Sequence, residues 1–212
     1  TLFIAAYNEI DFVETKIKNS LSLNYPKDKI EFIWVTDGSD DGTNLELQKY
    51  DNIKVLHRNE RKGKIGAINR GMAYVNTPIV IFSDANSLLN KEAIREIVKE
   101  FADKKVGCVA GEKRIFAGDK DNAVNSGEGI YWKYESFIKR NESGLSSVVG
   151  AVGELFAIRT ELFNTIEEDT ILDDLIISLR IALKGYKIKY TPNAYATEKA
   201  SANINEELKR KI

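Results

Sequence analysis

Four short polar clusters carry the residue types that could do chemistry: Tyr7-Asn8-Glu9, Asp37-Gly38-Ser39-Asp40-Asp41-Gly42-Thr43, Asp84-Ala85-Asn86 and Asp173-Asp174. Carboxylates gathered at one place repel unless a cation or substrate donors neutralise them. Their hard oxygens suit Mg²⁺ or Mn²⁺, and Mg²⁺ commonly bridges protein carboxylates and substrate phosphates. Each cluster also has a plainer reading. Asp37-Gly38 is a good turn sequence, Asp84 could cap the helix after it, and acids at the start of a helix suit its dipole, as with Asp173 and Asp174. Thr170 and Asp173 have the spacing of a loose capping box. His57, at the end of an apolar run, reads as a surface or core residue rather than a base. What favours a common site is that the clusters occur together and in order.

The elements that must position these clusters alternate between period-2 and period-3.6 patterning. Strands are expected at Leu2–Ala6, Ile30–Thr36, Ile53–His57, Ile79–Ser83 and Val106–Gly111. Helices are expected at Glu9–Leu21, Thr43–Tyr50, Gly63–Tyr74 and Asn90–Phe101. This β-α alternation implies an α/β domain with a mainly parallel sheet covered by helices on both faces. In such sheets ligands bind beyond the carboxyl ends of the strands, and that is where the first three clusters fall. The second half is less regular: an aromatic-rich helix over Glu128–Lys139, strands at Leu155–Arg159 and Lys187–Tyr190, and a helix over Asp173–Lys184 closed by Gly185. The aromatics of Glu128–Lys139 read as core rather than as a ligand platform.

Composition narrows the function classes. Lys and Arg number 31 against 32 Asp and Glu, a net charge of −1, which leaves no electrostatic footprint for nucleic acid. The single cysteine, Cys108, excludes a disulfide framework within the chain and fits a reducing compartment. The sequon at Asn141-Glu142-Ser143 is accordingly read as chance. No apolar run approaches the roughly 18 residues needed to span a bilayer. The 212 residues suit one domain. Because Leu2–Ala6 is already a strand and Glu206–Ile212 looks like a helix cut short, residues 1–212 are expected to be a single domain from a longer protein. The expected setting is cytoplasmic, at a membrane face if segments outside this chain provide an anchor.

Ala6-Tyr7-Asn8-Glu9, Val35 to Thr43, Gly63-Lys64-Ile65-Gly66-Ala67-Ile68-Asn69 and Phe82-Ser83-Asp84-Ala85-Asn86 together resemble the family 2 glycosyltransferases. The likeness continues through Gly150 to Arg159, Leu172-Asp173-Asp174 and Gly185-Tyr186, and so covers nearly the whole chain. It is nearest the branch of cellulose, hyaluronan, chitin and poly-N-acetylglucosamine synthases. The resemblance implies the GT-A nucleotide-diphospho-sugar transferase fold, with a Rossmann-like sheet. It implies an inverting transferase that moves a sugar from a nucleotide donor, a UDP-sugar, to a glycan or lipid-linked acceptor with Mg²⁺ or Mn²⁺. By the same resemblance Asp37 accepts a hydrogen bond from uracil, and Tyr7 and Glu9 line the nucleoside. Lys64 lies near the diphosphate, and Asp84 and Asn86 are the ends of the DxD motif that holds ribose, diphosphate and metal. Asp174 is the general base, with Asp173 beside it.

Two positions depart from the family pattern. Thr36 stands where a first aspartate is frequent, and Asn86 replaces a metal-binding aspartate. A carboxamide oxygen coordinates without charge, so either metal binding is weaker or the diphosphate and Asp84 hold the ion. The QxxRW motif of the synthase branch would begin where this chain ends. A module that binds nucleotide sugar or glycan without turnover is therefore the alternative. A dinucleotide-dependent oxidoreductase is disfavoured because no G-x-G-x-x-G follows the first strand.

Overall fold

The computed structural model describes residues 1–116, 136–139, 141–143, 147–151 and 153–199. Most of the expected aromatic helix, and all of the terminal one, lie outside these residues. Among the described residues the strands form one eight-stranded sheet in the order β3-β2-β1-β4-β7-β6-β8-β5. The strands are β1 (Leu2–Ala6), β2 (Phe32–Asp37), β3 (Lys54–Arg58), β4 (Ile79–Ser83), β5 (Leu88–Leu89), β6 (Val106–Phe116), β7 (Leu155–Arg159) and β8 (Lys187–Lys199). The helices are α1 (Ile10–Leu21), α2 (Thr43–Leu47), α3 (Gly63–Met72), α4 (Ala93–Glu100) and α5 (Asp173–Leu183). None is long and apolar enough to cross a membrane.

The first half is wound as the alternation requires. β1 pairs in parallel with both β2 and β4, and β2 with β3. β1 is buried on both faces, with Leu2, Ile4 and Ala6 in one core and Phe3 in the other. The first core is sealed by Val13 and Ile17 of α1, Leu47 of α2, and Ile94 and Ile97 of α4. The second is sealed by Ile65, Ile68 and Met72 of α3 and by Ile177 and Ile181 of α5. Winding reverses between β1 and β4, and the crevice at such a switch point is the favoured ligand site of open α/β sheets.

The second half departs from simple alternation. β7 is inserted antiparallel between β4 and β6, and β8 then lies parallel to β6. Both β6 and β8 run well beyond the expected ends at Gly111 and Tyr190. The register jumps from Ala110↔Tyr190 to Glu112↔Tyr195, so Pro192 sits in an irregularity that needs no ladder bond from it. The sheet remains mixed and mostly parallel.

Candidate active site

Tyr7, Asn8, Glu9, Asp37, Arg61, Lys64, Asp84 and Asn86 line a cleft of about 720 Å³ at the carboxyl ends of β1, β2 and β4. The turns that carry them are tied to one another. Asn8, at φ 54°, donates from Nδ2 to Asp40 Oδ1 at 2.8 Å, and the Asp40 amide donates back to Asn8 Oδ1 at 3.0 Å. Asp41 Oδ2 accepts from the Ile10 amide at 3.0 Å, so an acid from the second loop caps α1. The Glu9 amide donates to Thr43 Oγ1 at 2.9 Å. These bonds fix the loop that presents Tyr7.

Asp37 is only 3% exposed. Its Oδ2 accepts from the Lys62 amide at 2.7 Å, and the Arg70 guanidinium stands 3.7 Å from Oδ1. Arg70 is held in turn by the Thr36 and Leu56 carbonyls, at 3.0 and 3.2 Å. Thr36 Oγ1 is hydrogen-bonded to His57 Nδ1 at 2.8 Å. Gly38 makes the turn possible: its φ is +74°, and a Cβ there would fall 2.8 Å from Arg61 Cβ. Arg61 in turn lays its guanidinium 3.9 Å from the centre of the Tyr7 ring. This cation–π contact stiffens one wall of the cleft.

Lys64 lies in the first turn of α3, where the helix dipole favours anions and where α3 has no acidic residue of its own. Its ammonium donates to Asp84 Oδ1 at 3.1 Å and lies 3.7 Å from Asp173 Oδ2. Burial opposes the charged form, but Asp84, Asp173 and Asp174 outweigh it and raise the Lys64 pKa. The lysine thus joins the cleft to the acidic start of α5. Asp174 faces the same space, since a Cβ on Gly153 would lie 3.3 Å from Asp174 Oδ2 and 3.9 Å from Lys64 Nζ. Asp37, Asp84 and Asp174, distant in sequence, share one edge of the sheet.

The capping box expected from Thr170 and Asp173 does not form. The N-cap of α5 is Leu172, without a side-chain cap, and the Thr170 amide bonds instead to the Glu167 carbonyl. Asp173 is buried with Oδ2 lacking a hydrogen-bond partner among the described residues. Asp174 accepts from the Leu175 amide at 2.8 Å. Its pKa is raised, first by burial and then by Asp173 and Glu154, against the opposing Leu175 amide and Lys64. The helix dipole, worth about 0.3–1 kcal/mol in the first turn, does not reverse this.

Among the described residues no three His, Cys, Asp or Glu side chains gather closely enough to hold a metal by themselves. Asp84 and Asn86 offer hard oxygens on the cleft wall. That donor set fits an ion held by one or two protein oxygens and completed by substrate phosphates. It does not fit a self-sufficient metal centre.

Sequence reasoning missed Arg61. It also missed a cluster beside the acidic pair: Lys113 of β6 forms an ion pair with Glu154 and lies 3.0 Å from Glu198 of β8. β8 had not been expected to reach Glu198. Cys108 is buried and burial pushes its thiol pKa up, so it is not a nucleophile.

An open, mostly parallel sheet with an acid- and lysine-lined crevice at its switch point is the architecture of a doubly wound α/β domain. Residues 1–167 match the family described as Glycosyl transferase family 2, and the chain belongs to that family. A poly-β-1,6-N-acetyl-D-glucosamine synthase of Staphylococcus aureus is 29% identical over 203 residues, covering 92% of this chain and 48% of the relative. Its counterpart from Staphylococcus epidermidis is 28% identical over the same shares. The chain therefore spans about half the length of the curated relatives it matches. Among solved structures, the mannosyltransferase PcManGT of Pyrobaculum calidifontis, in complex with GDP-Man and Mn²⁺, superposes with a TM-score of 0.83. It is 24% identical, covering 99% of this chain and 59% of that one. TarS of S. aureus in complex with UDP-GlcNAc gives a TM-score of 0.69 at 17% identity, covering 96% and 60%. The fold is the GT-A α/β fold.

Proposed function

We propose that this domain transfers a sugar, with inversion, from a UDP-sugar to a hydroxyl of a glycan or lipid-linked acceptor. The observation that carries the reading is the Lys64 ammonium, 3.1 Å from Asp84 and 3.7 Å from Asp173, which joins the nucleotide cleft to the acidic pair. Donor and base chemistry would meet there. Asp37, nearly buried and already anchored on Oδ2, presents a carboxylate to a nucleobase N–H. Tyr7, backed by Arg61, and Glu9 would line the nucleoside.

In the reaction, Asp174 accepts the proton of the acceptor hydroxyl. The hydroxyl oxygen forms a bond to the anomeric carbon as the bond from that carbon to the phosphate oxygen breaks. The nucleoside diphosphate leaves with the electron pair, and a single displacement inverts the anomeric centre. The raised pKa of Asp174 suits a general base, whose efficiency improves as its pKa approaches the working pH. Asp173 supports Asp174 and keeps Lys64 in place. Lys64 meets the negative charge developing on the leaving group. Asp84 and Asn86 would hold Mg²⁺ or Mn²⁺, which when bound supplies further neutralisation of the diphosphate. The mannosyltransferase neighbour carries GDP-Man with Mn²⁺ and TarS carries UDP-GlcNAc, so uracil is our choice from the family motif rather than from the neighbours.

The test is a screen of nucleotide-sugar donors on the full-length protein, detecting released nucleoside diphosphate. Release from UDP-sugars supports the reading, and release from GDP-sugars alone would reassign the base. A second reading, a binding module without turnover, is favoured by Asn86 standing where a charged ligand is usual. Calorimetry with UDP, with and without Mn²⁺, separates the two: metal-independent binding with no donor consumed supports the module. We assign the domain to the cytoplasmic side of any membrane the full protein contacts.

A further inference from the structure

Lys16 is the one lysine among the described residues that is fully buried, and nothing in the proposed reaction uses it. It sits on the core-facing stripe of α1 with Val13, Ile17 and Ser20. Lysine is almost never fully buried unless paired, yet Lys16 has no carboxylate within salt-bridge distance among the described residues. Its ammonium instead donates to Ser83 Oγ at 2.7 Å, to the Ser87 carbonyl at 2.6 Å and, more weakly, to Ser87 Oγ at 3.4 Å. Those two serines bracket Asp84-Ala85-Asn86. Ser87 Oγ also donates to the Asp84 carbonyl at 3.1 Å, closing the turn on itself.

One helical turn on, Asn19 exchanges two hydrogen bonds with the backbone of Leu89, at 2.8 and 2.9 Å. The face of α1 that carries Lys16 and Asn19 thus grips the segment from Ser83 to Leu89 from below. α1 begins directly after Glu9, so the same helix carries the nucleoside loop at its start. Burial lowers the Lys16 pKa to about 7, with Asp84 and Glu198 opposing at longer range. A buried charge is costly unless paired, and methionine could fill this space without that cost.

We propose that Lys16 is a positioning residue of the donor site: its ammonium fastens Ser83 and Ser87 so that Asp84 and Asn86 meet a nucleotide-bound cation in fixed geometry. The inference rests on the reading of Asp84–Asn86 as the cation and diphosphate turn. It makes a prediction opposite to that of charge alone. A positive charge beneath a cation repels it, so if charge were all that mattered, Lys16→Met would tighten Mn²⁺ binding. If fastening matters, Lys16→Met loosens it.

The experiment is calorimetry of UDP on the full-length protein with and without Mn²⁺, for wild type, Lys16→Met, Ser83→Ala, the double variant and an Asp84→Ala control. Groups that orient metal ligands typically account for about 10–100-fold in affinity. Lys16→Met is expected to lose that much Mn²⁺-dependent UDP affinity and to lose less of the metal-free affinity. Ser83→Ala, which removes one hydroxyl, is expected to lose less, and nothing further in the Lys16→Met background. If Lys16→Met fails to fold, Ser83→Ala carries the test alone. Unchanged or tighter Mn²⁺-dependent binding in the folded variants overturns the proposal, provided that Asp84→Ala abolishes it. If wild type shows no Mn²⁺-dependent UDP binding, or Asp84→Ala retains it, the reading of the turn fails and this inference falls with it.

Discussion

Asp37 and Asp174 lie on the same edge of one sheet, yet the protein holds them in different ways. Asp37 is nearly inaccessible and is pinned by the Lys62 amide and the Arg70 guanidinium, while the loops around it are stitched by Asn8, Asp40, Asp41 and Thr43. Asp174 is half-buried, and its hydrogen bond is to the amide of the next residue. Asp173 beside it has an oxygen with no hydrogen-bond partner among the described residues. The difference fits the two roles proposed for these acids, donor recognition by Asp37 and proton transfer by Asp174. Pinned groups recognise, because their geometry is fixed before the ligand arrives. Carboxylates with spare acceptor capacity and a raised pKa can take protons.

The sharpest way to break this contrast is to neutralise each acid in turn. Asp174→Asn should lower transfer by about 10²–10⁴-fold, the usual contribution of a general base, with UDP affinity unchanged. Asp37→Asn should do the reverse, raising the donor KM with little change in kcat. Steady-state kinetics on the full-length protein with a saturating acceptor checks both. If both variants lose mainly kcat, the division into a recognition half and a reaction half is wrong.

A second variant sharpens the contrast at the boundary between the halves. Asn86→Asp adds a charge where the cleft has a carboxamide. Two unit charges 4 Å apart interact by about 4 kcal/mol at an effective dielectric near 20, and solvent in the open cleft will screen much of that. Tighter Mn²⁺ binding in the presence of UDP, by about tenfold, is expected in calorimetry. Unchanged affinity would mean that residue 86 does not face the ion. A smaller effect belongs to Arg61→Ala, which removes the backing of Tyr7. An exposed cation–π contact is worth about 0.5–1 kcal/mol, so UDP affinity should fall about 2–5-fold with kcat preserved.

The last prediction concerns stability. The folded pKa of Asp174 is raised above its ordinary value near 3.8. A carboxyl with a raised folded pKa contributes stability that is full below the unfolded value and is lost as pH rises through the folded one. Asp174→Asn removes that loss. The variant should therefore melt higher than wild type at pH 7 and show no such advantage near pH 3. Thermal denaturation at the two pH values tests this, and a lower melting temperature at pH 7 would show that Asp174 is stabilising rather than reserved for chemistry.

Much of this contrast was legible in the sequence, and unevenly so. From Leu2 to Val106 the apolar periodicity reports local structure, and strand ends followed by Asn, Asp and Gly are where an open sheet binds ligands. Other features depend on partners remote in sequence. Leu88–Leu89 is a strand only because β8 reaches it, and β8 gets that far only by carrying Pro192 through an irregularity. Nothing periodic marks β7 as antiparallel. At the site, the motif aspartates were visible because their neighbours form recognisable blocks. Lys16 was not, since a lysine on an amphipathic helix reads as solvated. The available signal was its place on the stripe with Val13 and Ile17. Glu198 was hidden for the same reason as the end of β8.

A structure of the full-length protein with UDP and Mn²⁺ tests most directly whether Asp37, Asp84 and Asp174 converge on one nucleotide. The uracil is expected beside Tyr7 and Asp37, the ion between the phosphates and Asp84, and the Asp174 carboxylate facing the open side of the β-phosphate. UDP bound outside this cleft, or Asp174 turned away from the diphosphate, would contradict that convergence.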